Sequence, residues 1–154
     1  MPGVSLSPIM ALDYGRKRVG LAISDRMRLV ARPLGTYAQE EALRVLLEQV
    51  RREAVAVLVV GWPLDMRGQP QEMAREVAAY MRRIKHLAPE LELVRWDERL
   101  STVRAQQMLR EGGVKRKNRQ NKARLDQAAA ALLLQEYLDF LRLCPQQDGT
   151  SSSP

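Results

Sequence analysis

Two apolar runs, from Ile9 to Tyr14 and from Val19 to Ser24, bracket a glycine and three cations, Gly15, Arg16, Lys17 and Arg18. Apolar runs separated by so short a polar segment predict a β-hairpin turned at Gly15. A third strand is expected over residues 29–37. Leu43, Leu46, Leu47 and Val50 then recur at helical spacing, which predicts an amphipathic helix over residues 40–54 with a charged outer face. The continuous run "AVAVLVVGWP", ended by Gly61 and Pro63, has the pattern of a strand buried on both faces. Met73, Val77, Met81 and Ile84 mark a second helix, and "LELVRWDE" over residues 91–98 reads as a strand. Ser101 suits the N-cap of a third helix that Gly112 and Gly113 would stop. The last helix is expected from Lys122 to Leu143, apolar on most sides around residues 128–134.

Three strands, a helix, a strand, a helix, a strand and further helices make an α/β domain. Its five-stranded mixed sheet would open as an antiparallel meander and continue by parallel additions through right-handed crossovers. At 154 residues the chain is long enough for one core that buries roughly 70% of the unfolded surface. Residues 1–8 read as a disordered lead-in, 9–143 as the domain, and 144–154 as a disordered tail of Pro, Gln and Ser. The N-terminus lacks the cationic start and apolar core of a signal peptide, and no apolar run approaches the ~18 residues of a membrane span. One cysteine, Cys144, forbids an internal disulfide, so a soluble protein of the reducing cytoplasm is expected.

Charge adds a class of partner. Against 18 Asp and Glu stand 25 Lys and Arg, a net charge of +7, which suits a polyanion. Six cations crowd the eleven residues from Val114 to Arg124, namely Lys115, Arg116, Lys117, Arg119, Lys122 and Arg124, with no aromatic among them. That composition suits contact with a phosphate backbone rather than the reading of bases. A plainly solvated loop has the same composition.

Three groups of acids lie near element ends: Asp13 in the first strand, Asp97 and Glu98 closing the last, and Asp126 early in the final helix. An ionised acid in an apolar strand is costly unless it is paired or binds metal. Carboxylates gathered from distant segments repel, and a hard divalent cation, Mg²⁺ or Mn²⁺, resolves the repulsion. Two such ions about 4 Å apart can assist both the attacking and the leaving oxygen of a phosphodiester. The alternative is structural: Asp13 pairs with an Arg, Glu98 is exposed, and Asp126 favours a helix N-terminal dipole.

"ALDYGRKRVGLAISD", "VVGWPLDMRG", "WDERLST" and "RLDQAAAALLLQEYLD" resemble, in order and separation, the four landmark segments of the YqgF/RuvX family. The resemblance spans residues 9–140 and implies an RNase H-like fold of the Holliday-junction-resolvase type. It implies a metal-dependent nuclease whose ligands and catalytic acids are Asp13, Glu98 and Asp126, with Asp97 as second choice for Glu98. Members are associated with 5′-end maturation of pre-16S rRNA and, through their fold, with branched DNA. Arg16, Lys17, Arg18, Arg99 and the cations of residues 115–124 would hold nucleic acid. Arg16 and Trp62 depart from the family pattern; Trp62 either fills the core edge or stacks on a base.

The remaining candidates have simpler readings. His86, the only histidine, is expected near a helix C-terminus, and without a second histidine a zinc site is implausible. Ser101 is explained as a cap, with Thr102 beside it, and Met73 and Met81 as core. Two rival functions stand beside the nuclease: a non-cleaving nucleic-acid-binding ribosome-assembly factor, and a phosphate hairpin of the actin and sugar-kinase group. A junction resolvase would work as a homodimer, because paired cuts need sites related by symmetry.

Overall fold

A computed structural model of the chain describes residues 6–63, 72–97 and 122–143, the side chains of 122–128 aside. The first hairpin forms as the pattern predicts. Strand β1 (Ile9–Asp13) pairs antiparallel with β2 (Val19–Ser24), in the register Met10↔Ile23, Ala11↔Ala22 and Asp13↔Gly20. A Cβ on Gly15 would lie 2.5 Å from the Arg18 carbonyl oxygen, so the turn closes only with glycine there. The tie continues at the other end, where the Ile9 N–H donates to Ser24 Oγ at 2.9 Å.

Strand β3 (Ala31–Tyr37) pairs antiparallel with β2 but begins two residues later than the apolar pattern suggests. Asp25 is the cause. Its carboxylate accepts the N–H groups of Met27, Leu29 and Val30 at 2.8–3.1 Å, so Leu29 and Val30 belong to the turn. Pro33 is tolerated because β3 is an edge strand, and the register slips beside it between Leu21 and Ala22.

Helix α1 (Gln39–Glu53) carries Glu40 and Glu41 in its first turn and Arg51 and Arg52 in its last, which complements the helix dipole at both ends. It ends when Ala54 adopts a left-handed conformation, with φ 57°, and donates its N–H to the Val50 carbonyl. The predicted strand over "AVAVLVVGWP" is therefore shorter. Strand β4 (Val57–Trp62) runs parallel between β1 and β5 (Glu92–Asp97), and helix α2 (Ala74–Leu87) precedes β5. His86 lies in the last turn of α2, as expected.

The sheet order is β3-β2-β1-β4-β5, mixed and five-stranded. Its central position explains why β1 is apolar throughout: both faces are covered. On one face Met10, Leu12, Leu21, Leu58 and Val60 pack against Leu43 and Leu46 of α1 and Val77, Tyr80, Met81 and Ile84 of α2. On the other, Ile9, Ala11, Ala22 and Val59 pack against Ala130, Leu133, Leu134 and Leu138 of the last helix, α3 (Lys122–Leu143). Ala11, Ala22 and Ala130 are fully buried, and such small side chains let α3 approach the strands closely. Gln135 fixes the helix to the connection between β2 and β3, accepting the Ala31 N–H at 2.9 Å and donating to the Leu29 carbonyl at 3.0 Å. The predicted third helix, the basic loop, the lead-in and the tail lie outside the described residues.

Candidate active site

Asp13 is the last residue of β1, and alternation along the strand puts it on the α3 face with Ile9 and Ala11. Its partner on β2 is Gly20. On β4, one step beyond the last registered pair Leu12↔Val60, stands Gly61. The residues directly opposite Asp13 on both neighbouring strands are therefore glycines, and its carboxylate is half-buried. Sequence reasoning missed Gly20 and Gly61 in this role. Only the strand register turns Gly20, and a Gly61 first read as ending its strand, into the flanks of an acid.

Asp97 ends β5 at the same edge of the sheet, paired with Trp62 of β4. The parity is opposite. Val94 and Trp96 face α3, so Asp97 shares the α1/α2 face with Leu93, Arg95 and Trp62. The sheet thus brings Asp13 and Asp97 to one end but sends them to opposite faces. Glu98 and Arg99 lie outside the described residues, as do Ser101, Thr102, Lys115, Arg116, Lys117 and Arg119. Lys122, Arg124 and Asp126 fall on the first turns of α3, their side chains outside the description. Asp126 precedes Ala130 by four residues and Leu133 by seven, both buried against the sheet. Among the described residues no group of three or more His, Cys, Asp or Glu could hold a metal ion.

Trp62 packs against the α1/α2 core, and the Arg95 guanidinium covers its ring at 4.0 Å from the centroid. That is a cation–π contact. The exposed cations Lys17 and Arg18 project from the turn that follows Asp13, and Arg16 is held there by an ion pair with Glu76 at 2.9 Å. Tyr14 leaves the strand on the α1/α2 face and donates to Glu76 at 3.2 Å, its ring edge-on to Tyr80. Burial pushes the Tyr14 phenol up, aided by the Glu76 charge and opposed by a hydrogen bond from Gln39. Burial pushes Tyr80 up as well. Both phenols stay protonated and serve as donors at neutral pH.

A family model described as "RuvX: Holliday junction resolvase" matches residues 7–140. The chain belongs to the RuvX family. A protein of Salinibacter ruber named as a candidate pre-16S rRNA nuclease is 44% identical over 131 residues, covering 85% of this chain and 92% of the relative. A Bacteroides fragilis protein of the same name is 37% identical over 138 residues, covering 90% of this chain and all of the relative. Among solved structures, Thermus thermophilus RuvC superposes with a TM-score of 0.50 at 15% identity, over 82% of this chain and 92% of that one. The likeness is one of fold, and the fold is RNase H-like, as the resemblance implied. Membership of this family makes the RuvX chain a nuclease, a hydrolase of ester bonds.

Proposed function

We propose that this RuvX chain is a divalent-cation-dependent nuclease that hydrolyses phosphodiester bonds in the 5′-end processing of pre-16S rRNA. The observation that carries the reading is the place of Asp13: a half-buried carboxylate at the end of the central strand, between two glycines, on the face that α3 covers. Carboxylate oxygens are the ligands that Mg²⁺ and Mn²⁺ prefer, and the positions opposite Asp13 are glycines with no side chain of their own, so the donor chemistry fits. Asp13, Glu98 and Asp126 would hold a two-ion site. Asp97, on the other face, is the second choice. When bound, such ions lower the pKa of water and offset charge at the phosphate.

Substrate binding falls to the cations of the chain. Arg16, Lys17 and Arg18 neutralise substrate phosphates next to Asp13, and Arg99, Lys115, Arg116, Lys117, Arg119, Lys122 and Arg124 would supply further phosphate contacts. These cations fix the backbone and read no bases. No helix among the described residues is long and apolar enough to cross a membrane. A processor of ribosomal RNA works in the cytoplasm.

The test is cleavage of a pre-16S 5′ fragment by the wild type and by Asp13→Asn, with Mg²⁺, Mn²⁺ or chelator. Metal-dependent cleavage that vanishes in the variant while RNA affinity stays within about threefold is the expected result, because the cations remain. Binding without cleavage under every condition would instead indicate an assembly factor. The family's description favours a second reading, resolution of four-way DNA junctions. It requires a homodimer, so symmetric paired cuts in a junction by a dimeric species would select it.

A further inference from the structure

The turn that carries Arg16, Lys17 and Arg18 is bound by a side chain twenty-one residues beyond it. Gln39, the first residue of α1, directs its amide Nε2 at three acceptors: the Gly15 carbonyl at 3.1 Å, the Arg16 carbonyl at 3.0 Å and the Tyr14 hydroxyl at 2.9 Å. The Gln39 backbone carbonyl accepts the Tyr80 hydroxyl at 2.7 Å, which ties the start of α1 to α2. Glu76, one helical turn before Tyr80, accepts from Tyr14 at 3.2 Å and from Arg16 Nε at 2.9 Å. Two helices therefore hold the backbone of this turn at Gly15 and Arg16 and the side chains of Tyr14 and Arg16. A hairpin needs no such grip to close, since Gly15 already permits it.

Nothing in the hydrophobic pattern announces this arrangement. Gln39 falls before the apolar stripe of its helix, and Glu76 and Tyr80 occupy ordinary helix positions.

We infer that Gln39, backed by Tyr80 and Glu76, is a positioning residue that holds the Arg16–Arg18 turn as a preformed phosphate clamp beside Asp13. The inference rests on the nucleic-acid reading above. Three cations on a free hairpin tip would lose conformational freedom each time a substrate bound. Held by Gln39, they meet successive phosphates in a fixed array. Glu76 complements this hold, because its carboxylate accepts from Arg16 Nε at 2.9 Å and so directs the guanidinium.

The experiment uses the full chain and a single-stranded RNA oligonucleotide, with Gln39→Met as a variant of similar shape that lacks the amide donors. Dissociation constants are measured across a salt series, beside kcat and KM for the cleavable fragment and hydrogen exchange at the amides of residues 16–18. Expected for Gln39→Met are a Kd and KM raised about tenfold and a kcat within about threefold. The salt dependence should be shallower by one to two phosphate contacts, at about 0.7 of log–log slope each. The turn amides should also exchange faster.

Tyr80→Phe, which keeps the core ring, should move the same quantities in the same direction by a smaller factor, and it decides the matter if Gln39→Met does not fold. A purely structural Gln39 would alter the melting temperature and leave the salt slope untouched; that result overturns the inference. So does a fall in kcat at constant KM. A wild type that binds no RNA overturns the nucleic-acid reading and the clamp together. A wild type that binds, beside a Gln39→Met chain with the same Kd and slope, overturns the clamp alone.

Discussion

The seating of α3 can be tested by removing part of one side chain. Leu134 is completely buried between α3 and the sheet. Leu134→Ala deletes three carbons, worth about 0.8 kcal/mol each in transfer free energy, so about 2.4 kcal/mol is lost before any cavity cost. The void adds to this, because Ala11 and Ala22 beneath the helix are too short to fill it, which puts the total at about 3–4 kcal/mol. For a domain of this length each kcal/mol moves the midpoint by about 2–4 °C, so Tm should fall by roughly 6–16 °C. Leu46→Ala, equally buried on the α1/α2 face, is the matched control and should cost a similar amount. Thermal unfolding followed by far-UV circular dichroism gives both shifts. Cleavage is then assayed at a temperature where both variants remain folded. Leu134→Ala should lose more activity than Leu46→Ala, since α3 carries Asp126 and α1 carries no proposed ligand. A Tm shift under about 2 °C for Leu134→Ala would refute the packing. Equal activities in two equally destabilised variants would refute the link from α3 to catalysis.

Gly20→Ala places a methyl group opposite Asp13 on the α3 face and should cut cleavage about tenfold or more at unchanged RNA affinity, measured by single-turnover kinetics beside a binding titration. Backbone hydrogen bonds, that from Val30 foremost, hold the Asp25 carboxyl below its usual value of 3.8, so its native pKa lies under its unfolded one. Its stabilisation is therefore present above pH 3.8 and lost as pH falls through the depressed native value. Asp25→Ala should cost about 1 kcal/mol near neutrality, and chemical denaturation at several pH values should show the gap to wild type closing in acid.

Periodicity carried most of the fold. Apolar runs about a short polar turn marked β1 and β2, period 3.6 marked α1 and α2, and the unbroken apolar run of β4 announced a strand covered on both faces. The boundaries that slipped share a cause: local polar chemistry overruled hydrophobic pattern. Leu29 and Val30 look like strand residues, yet the Asp25 carboxylate claims their N–H groups. Ala54 looks like the start of a strand, yet it caps a helix in a conformation that a propensity scale assigns to glycine. At the site, Asp13 was legible because a charge in an apolar strand is conspicuous. The division of Asp13 and Asp97 between two faces, the glycines flanking Asp13 and the Gln39 grip were not, since each depends on strand register or on contacts between remote segments.

The two faces of the sheet are completed at different times. The hairpin of β1 and β2 pairs close neighbours in sequence and can form early, and α1, β4, α2 and β5 add to one side in chain order. The opposite face, where Ile9, Ala11, Ala22 and Val59 lie, is covered by Ala130, Leu133, Leu134 and Leu138, more than a hundred residues after the hairpin. A chain emerging from the ribosome therefore carries Asp13 on a bare apolar surface until its last helix has been made. Closure of this face therefore waits on the segment made after all five strands, whereas the α1/α2 face can close before it.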